Sequence, residues 1–209
     1  MDVIKHLKWR YATKKFDAAQ HLSQQKVQVI KEAFNLTATS FGLQTISMLI
    51  VSDKSIREDL VEHSHGQRQV FEASHLLVIC IQNNITDDDV DALYDNIHTT
   101  RETSHTILDP YRMGLKNMMK KMSVEERQEW STKQAYIALG NLMTVCAIEQ
   151  IDACPMEGFS SEDYDEVLQL KEKGLKSVLV MPIGYRHKDD MFADFKKVRK
   201  TVAESTIEL

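Results

Sequence analysis

"YIALGNLMTVCAIE", residues 136–149, is apolar nearly all round and too long for a strand, so it reads as a buried, central helix. Its beginning is marked upstream by Ser123-x-x-Glu126, a capping box whose hydroxyl and carboxylate satisfy reciprocal backbone N–H groups. The predicted helix therefore runs from about 123 towards Gln150. A short strand at 151–154 follows, meeting "CPMEGF" (154–159).

Three other stretches supply the sheet that such a helix needs to pack on. "HLLVICIQ" (75–82), "SVLVMPIGY" (177–185) and "TISMLIVS" (45–52) are rich in apolar and β-branched residues, as buried strands are. Shorter helices are predicted over 2–9 and from a Ser23 cap to about Leu36, with Val27, Ile30 and Phe34 at helical spacing. Asp53 opens another, carrying Ile56, Leu60 and Val61, and Ser160 or Ser161 caps an acidic helix that Gly174 ends. Residues 86–122 are polar and helix-compatible, punctuated at Pro110 and Gly114, and read as a helical lid or excursion. The stretch 187–209 is charged, with isolated apolar residues and no period long enough to fold alone; it is either frayed or docked on something else. Three or four strands among six or more helices clustered mid-chain imply an α+β fold. One domain over residues 1–209 is the expected organisation.

A net charge of −5 argues against a general nucleic-acid or membrane-surface binder, which needs a basic face. The three cysteines, Cys80, Cys146 and Cys154, are widely spaced and odd in number, suggesting neither a disulfide framework nor a metal clip. The N-terminus has no continuous apolar core of a signal peptide, and the run Leu76–Ile81 is too short to span a bilayer. A cytoplasmic protein is expected.

Few local motifs carry chemistry. No GxGxxG, P-loop, GxSxG or HExxH is present. "DDDVD" (87–91) mimics an EF-hand start but has Ala92 and His98 where glycine and glutamate are required, so it reads as an acidic first helical turn. His63 and His65 lack a third ligand nearby, and no metal is expected. Cys154 precedes a proline with no adjacent cation and reads as a small buried hydrophobe. Arg10 and Lys14 lie four apart, and Lys197 and Arg199 two apart. From the residues alone, unrelated solvated charges are the favoured reading of these pairs, and convergence on one phosphate is the other.

A resemblance tips that balance. "RYATKKFD" (10–17), "TATSFGLQTI" (37–46), "FEASHLLVIC" (71–80), "KQAYIALGNLM" (133–143), "CPMEGF", "LKEKGLKSVLVMPIGY" (170–185) and "KKVRK" (196–200) occur in an order similar to that of the oxygen-insensitive, FMN-dependent NAD(P)H nitroreductases, the bacterial group that also reduces quinones and dihydropteridines. The resemblance covers most of the chain. It implies a nitroreductase-like α+β fold with a central, mainly antiparallel sheet flanked by helices. It also implies a homodimer with FMN at two interface sites, and a tail over 187–209 that adds a strand to the partner's sheet. Position by position, Arg10, Tyr11, Ala12 and Lys14 match the N-terminal flavin segment, with Arg10 on the phosphate and Lys14 at the pyrimidine edge. Lys197 and Arg199 match the C-terminal phosphate pair, and Thr39, Ser40 and Gly42 match the segment given by the other subunit. Pro155, Met156, Glu157 and Gly158 match the loop against the ring, where the N–H of Glu157 faces flavin N5.

The chain also departs from the family pattern. Ala12 replaces a usual serine, and the 38–46 segment has glycine at an asparagine position and lacks Pro-Trp. Gln67 and Gln69 stand near an expected asparagine and lysine, and Tyr111, Lys116, Met118 and Met119 lie where relatives often place gating aromatics. The chemistry implied is that of the flavin. NADH or NADPH reduces it, and a flat nitroaromatic, quinone or pteridine then takes the reducing equivalents on the same shelf, with no acid–base side chain required. Lys14 and the Glu157 N–H support it electrostatically. The competing class is a non-catalytic flavin-binding sensor or carrier dimer on the same fold.

Overall fold

The computed structural model describes residues 2–209. Helix α1 (Val3–Trp9) leads through an irregular stretch to α2 (Gln24–Asn35), and a 3-10 turn at Ser40–Gly42 precedes β1 (Ile46–Val51). Next come α3 (Lys54–Glu62), α4 (Gln69–Glu72), β2 (His75–Gln82), α5 (Asp87–Arg101) and α6 (His105–Lys121). The long α7 (Val124–Ile148) is followed by β3 (Asp152–Ala153), α8 (Ser161–Val167), β4 (Leu175–Gly184) and α9 (Val202–Ser205).

The strands form one sheet in the order β1-β2-β4-β3, antiparallel at every pairing. The continuous apolar run of β2 is explained by cover on both faces. Leu77, Ile79 and Ile81 pack with Leu179, Met181 and Ile183 beneath Ala138, Leu142 and Cys146 of α7. Leu76, Val78 and Cys80 point the other way, among Leu60 of α3, Val70 of α4 and Tyr164 of α8. Each fully buried aliphatic side chain there contributes about 1.5–3 kcal/mol, so the centre of the sheet is the most securely held part of the chain. The α+β fold with an antiparallel sheet agrees with the sequence expectation.

The predicted caps are in place: Ser23 on α2, Asp53 on α3, the Ser123–Glu126 box on α7 and Ser160 on α8. Asp87, Asp88 and Asp89 form the acidic first turn of α5, where Thr86 and Asp89 make a further capping box. Two expectations need correction. Pro110 and Gly114 do not punctuate the mid-chain segment; both lie inside α6. Pro110 removes one helical hydrogen bond, but Leu108, Leu115 and Met119 of α6 pack on Val90 and Tyr94 of α5 and hold the helix together. Cross-helix ion pairs add to that seam, with Lys116 Nζ 2.6 Å from Asp91 and Lys120 Nζ 2.8 Å from Asp87. Gly174 does not end α8; it takes a left-handed φ of 65° after a separate 3-10 turn at Lys171–Lys173. Among the described residues, no helix is long and apolar enough to cross a membrane.

Candidate functional site

The irregular segment after α1 is pinned along the edge of β3 and the end of β4. Ala12 bridges Ala153, and Phe16 bridges Arg186. Asp152 receives the Arg186 backbone N–H at 2.8 Å and its Nε at 2.7 Å, and the Arg186 guanidinium sits 4.4 Å from the Trp9 ring centre and 4.6 Å from that of Tyr11. Gly184 makes this packing possible, since a Cβ there would lie 2.9 Å from the backbone nitrogen of Ser74 and 3.2 Å from Phe16. On the other side, Asp190 Oδ2 accepts from the Tyr11 hydroxyl and from the backbone N–H of Lys14, both at 2.9 Å.

Held in this way, the segment forms one wall of a cavity of about 430 Å³. Arg10, Tyr11, Ala12 and Lys14 face it from one side, Pro155 from a second, and Lys197 and Arg199 from the returning tail. Lys197 Nζ donates to the carbonyl of Arg10. Burial, and then the charge of Arg199, push the Arg10 guanidinium below its ordinary pKa. Burial, and then Arg10 and Arg199, do the same to the Lys197 ammonium. Arg10 and Lys197, both partly desolvated, and Arg199 line one cavity and repel one another, and an anion placed between them would relieve that repulsion.

Lys14 connects this basic cavity to the 154–158 loop, with Nζ 3.5 Å from Cys154 Sγ. Burial raises the Cys154 thiol despite Lys14, so it stays protonated and unreactive, as the residue pattern suggests. The loop is clipped to β4 by a reciprocal pair, Met156 N–H to Val180 O at 2.8 Å and Val180 N–H to Met156 O at 3.1 Å. That pairing turns the Met156 side chain into the core, so only its backbone serves the loop. Beyond it, the backbone N–H groups of Glu157 and Gly158 have no acceptor among the described residues. Gln67 Nε2 holds the Gly158 carbonyl at 3.0 Å, and Gln69 Nε2 holds Gln67 Oε1 at 2.9 Å. The Tyr136 hydroxyl on α7 donates to Glu157 Oε1 at 2.8 Å. Gly158 itself has an unexceptional φ and room for a Cβ, whose nearest neighbour would be 3.5 Å away. Its lack of a side chain is thus not demanded by the loop's own geometry.

Thr39, Ser40 and Gly42 are elsewhere. Ser40 and Gly42 lie in the 3-10 turn before β1 and Thr39 just ahead of it, and none of them lines the basic cavity. The Ser40 N–H is held by Gln134 Oε1 at 2.9 Å, while Thr39 Oγ1 is buried with no partner. Phe41 between them adopts a left-handed φ of 58° with its ring exposed.

Comparison with known proteins decides what frame these groups belong to. The model of the Nitroreductase family matches residues 7–185. The chain belongs to the nitroreductase family. A protein of Staphylococcus aureus named "Putative NAD(P)H nitroreductase" is 32% identical over 190 residues, covering 87% of this chain and 85% of its own. The "Oxygen-insensitive NAD(P)H nitroreductase" of Salmonella typhimurium is 28% identical over 211 residues, covering 95% of each. A crystal structure from Exiguobacterium sibiricum, titled "putative nitroreductase in complex with FMN", superposes with a TM-score of 0.83 at 16% identity, covering 100% of this chain and 98% of that one.

Within this nitroreductase frame, the structure gathers Arg10, Tyr11, Ala12, Lys14, Pro155, Lys197 and Arg199 on one cavity, with Glu157 and Gly158 on the loop that continues from Pro155 and with Gln67 and Gln69 bonded in series to that loop. It leaves Thr39, Ser40 and Gly42 apart. Sequence reasoning did not find Asp190, the Asp152–Arg186 brace or Tyr136. Asp190 is one of several tail acids, and Tyr136 sits in an apolar helix whose one polar tip gives no local signal.

Proposed function

We propose that the chain is an FMN-dependent NAD(P)H oxidoreductase that reduces flat, electron-poor acceptors such as nitroaromatics and quinones, with dihydropteridines a further substrate class to be tested. The observation that carries this reading is the donor set: three cations converging on one cavity that Lys14 and Pro155 also line, with two unpaired backbone N–H groups at Glu157 and Gly158 on the loop that continues from Pro155. That set suits a ligand with a phosphate and a planar, hydrogen-bonding ring, and membership of the nitroreductase family and the FMN-bound Exiguobacterium protein support the same group. FMN, when bound, supplies the hydride exchange between the nicotinamide and the acceptor.

The chain's own residues bind and orient. Arg10, Lys197 and Arg199 hold the phosphate, and Lys14 places positive charge beside the pyrimidine edge, where negative charge gathers on reduction. The Glu157 N–H offers a fixed dipole to the reacting edge of the ring, and its strength does not change with pH. Tyr136 and Gln67 hold the loop that presents it.

Thr39, Ser40 and Gly42 complete the site from a second copy in a homodimer. Exposed Val3 and Ile4 on α1, Leu36 after α2, and Tyr136 and Ile137 on α7 offer apolar surface for that contact. β1 is an edge strand bordered by an apolar groove at Phe34, Met48 and Ile50. The partner's 187–209 tail, with exposed Val198, Val202 and Ile207, adds a strand there. Residues 1–209 act as one cytoplasmic domain, with 86–122 as its helical excursion.

Anaerobic titration of the purified, FMN-loaded protein with NADH and NADPH tests the proposal. Loss of the yellow colour, restored by a quinone or nitroaromatic, is the expected result. A yellow protein that neither nicotinamide bleaches would point to the sensor or carrier, and a protein that takes up no FMN would end both readings.

A further inference from the structure

The two walls of the basic cavity come from opposite ends of the chain, and their charges push them apart. Arg10 and Lys14 lie on one arm, and Lys197 and Arg199 on the other. A short antiparallel bridge joins the arms at their base, pairing Phe16 with Arg186 and placing the His187 N–H 2.9 Å from the Lys15 carbonyl, but beyond it the tail has no helix or strand until α9, and nearly every side chain beyond residue 190 is exposed. Asp190 is the exception. Its side chain is 4% exposed, whereas Asp189 and Asp194 beside it face solvent.

All the bonds of Asp190 run between the arms or set their course. Oδ2 accepts from the Tyr11 hydroxyl at 2.9 Å, the Lys14 N–H at 2.9 Å and the Lys15 N–H at 3.2 Å. Oδ1 accepts from the Phe192 N–H at 3.1 Å, turning the tail back over the cavity. Burial opposes ionisation of this carboxyl, but the N–H groups of Lys14, Phe192 and Lys15 and the Tyr11 hydroxyl outweigh it and hold the group charged. A carboxylate satisfied by four donors fixes backbone positions better than an exposed ion pair can. The neighbouring Lys15–Asp189 pair, at 3.8 Å and exposed on both sides, offers little of that.

We infer that Asp190 is a positioning residue that staples the tail to the 11–15 segment, so that Arg10 and the Lys197–Arg199 pair meet on one phosphate. The staple touches neither phosphate nor ring. Its loss would weaken phosphate recognition far more than ring recognition, because Ala12 and Thr13 stay paired with Ala153 and keep Lys14 near its place, and that contrast rests on the FMN reading above.

The test compares wild type, Asp190→Ala, the shape-preserving Asp190→Asn and the control Asp189→Asn. FMN and riboflavin, which lacks the phosphate, are titrated by flavin fluorescence, and trypsin cleavage at residues 196–200 is followed without flavin. The expected result for Asp190→Ala is FMN affinity lower by about 30-fold, riboflavin affinity changed less than about threefold, and tail cleavage about tenfold faster. Asp190→Asn should fall between, and Asp189→Asn should match wild type. FMN binding within about threefold of wild type in both Asp190 variants overturns the inference, as does equal weakening of FMN and riboflavin, which would indicate a general loss of structure. If wild type binds neither flavin, the FMN reading fails and the trypsin comparison alone decides the staple: faster cleavage upholds it, and an unchanged rate removes it.

Discussion

The segments 10–14 and 39–42 are both short and irregular, and the family resemblance leads one to expect both at a flavin, yet only the first is completed by the chain's own contacts. Residues 10–14 are tied to β3, to Asp152 through Arg186 and to Asp190, and their cations meet those of the tail. Residues 39–42 are held at one point by Gln134, and they keep a buried, unpartnered Thr39 hydroxyl and a left-handed Phe41. Buried polar groups without partners and bulky residues at positive φ are costly, so this turn is the less settled of the two. The difference teaches that the chain assembles its cationic cavity from its own two ends, while the 39–42 turn takes no part in it.

The comparison can be broken most directly at Arg10. Arg10→Ala should lower FMN affinity by about 100-fold, the loss of a charge-assisted contact, while riboflavin binding changes little in fluorescence titrations. A sharper version mixes two defective chains, Arg10→Ala and the bulky Ser40→Trp, after joint refolding. If the two segments meet across a dimer, about a quarter of the sites regain flavin, because only mixed dimers carry one intact site. No recovery would place both segments in the same protomer's site. Gly184→Ala should cost about 2 kcal/mol in thermal unfolding, because the new Cβ would press on the Ser74 backbone and on Phe16, beneath the completed segment. The smallest effect is expected in the incomplete one: Phe41→Gly should stabilise the chain by about 1 kcal/mol in urea unfolding, by removing the strain of a φ of 58°. An unchanged or lowered stability would mean that the exposed ring contributes packing this comparison assigns to no neighbour.

How much could be read from residues alone varied by region. The strands, the central α7 and four helix caps were legible because each depends on residues within a few positions of one another. Pro110 and Gly114 misled for the opposite reason. Local propensity argued for a break, but the seam between α5 and α6 buries Leu108, Leu115 and Met119 and overrides it. At the site, the residue pattern by itself favoured solvated charges at Arg10, Lys14, Lys197 and Arg199, and only the ordered resemblance drew them together. Asp190 and Arg186 were not legible at all, since their partners lie 176 and 34 positions away.

The sequence by itself determined the α+β class, the elements of the sheet and the central helix, because hydrophobic period and capping are short-range properties of the chain. Only the tertiary structure decided that cations from both ends crowd one cavity, that a buried carboxylate joins the arms that carry them, and that the 39–42 turn stands apart. Those are properties of packing: they arise when the ends of β3 and β4 bring together residues that no local pattern relates.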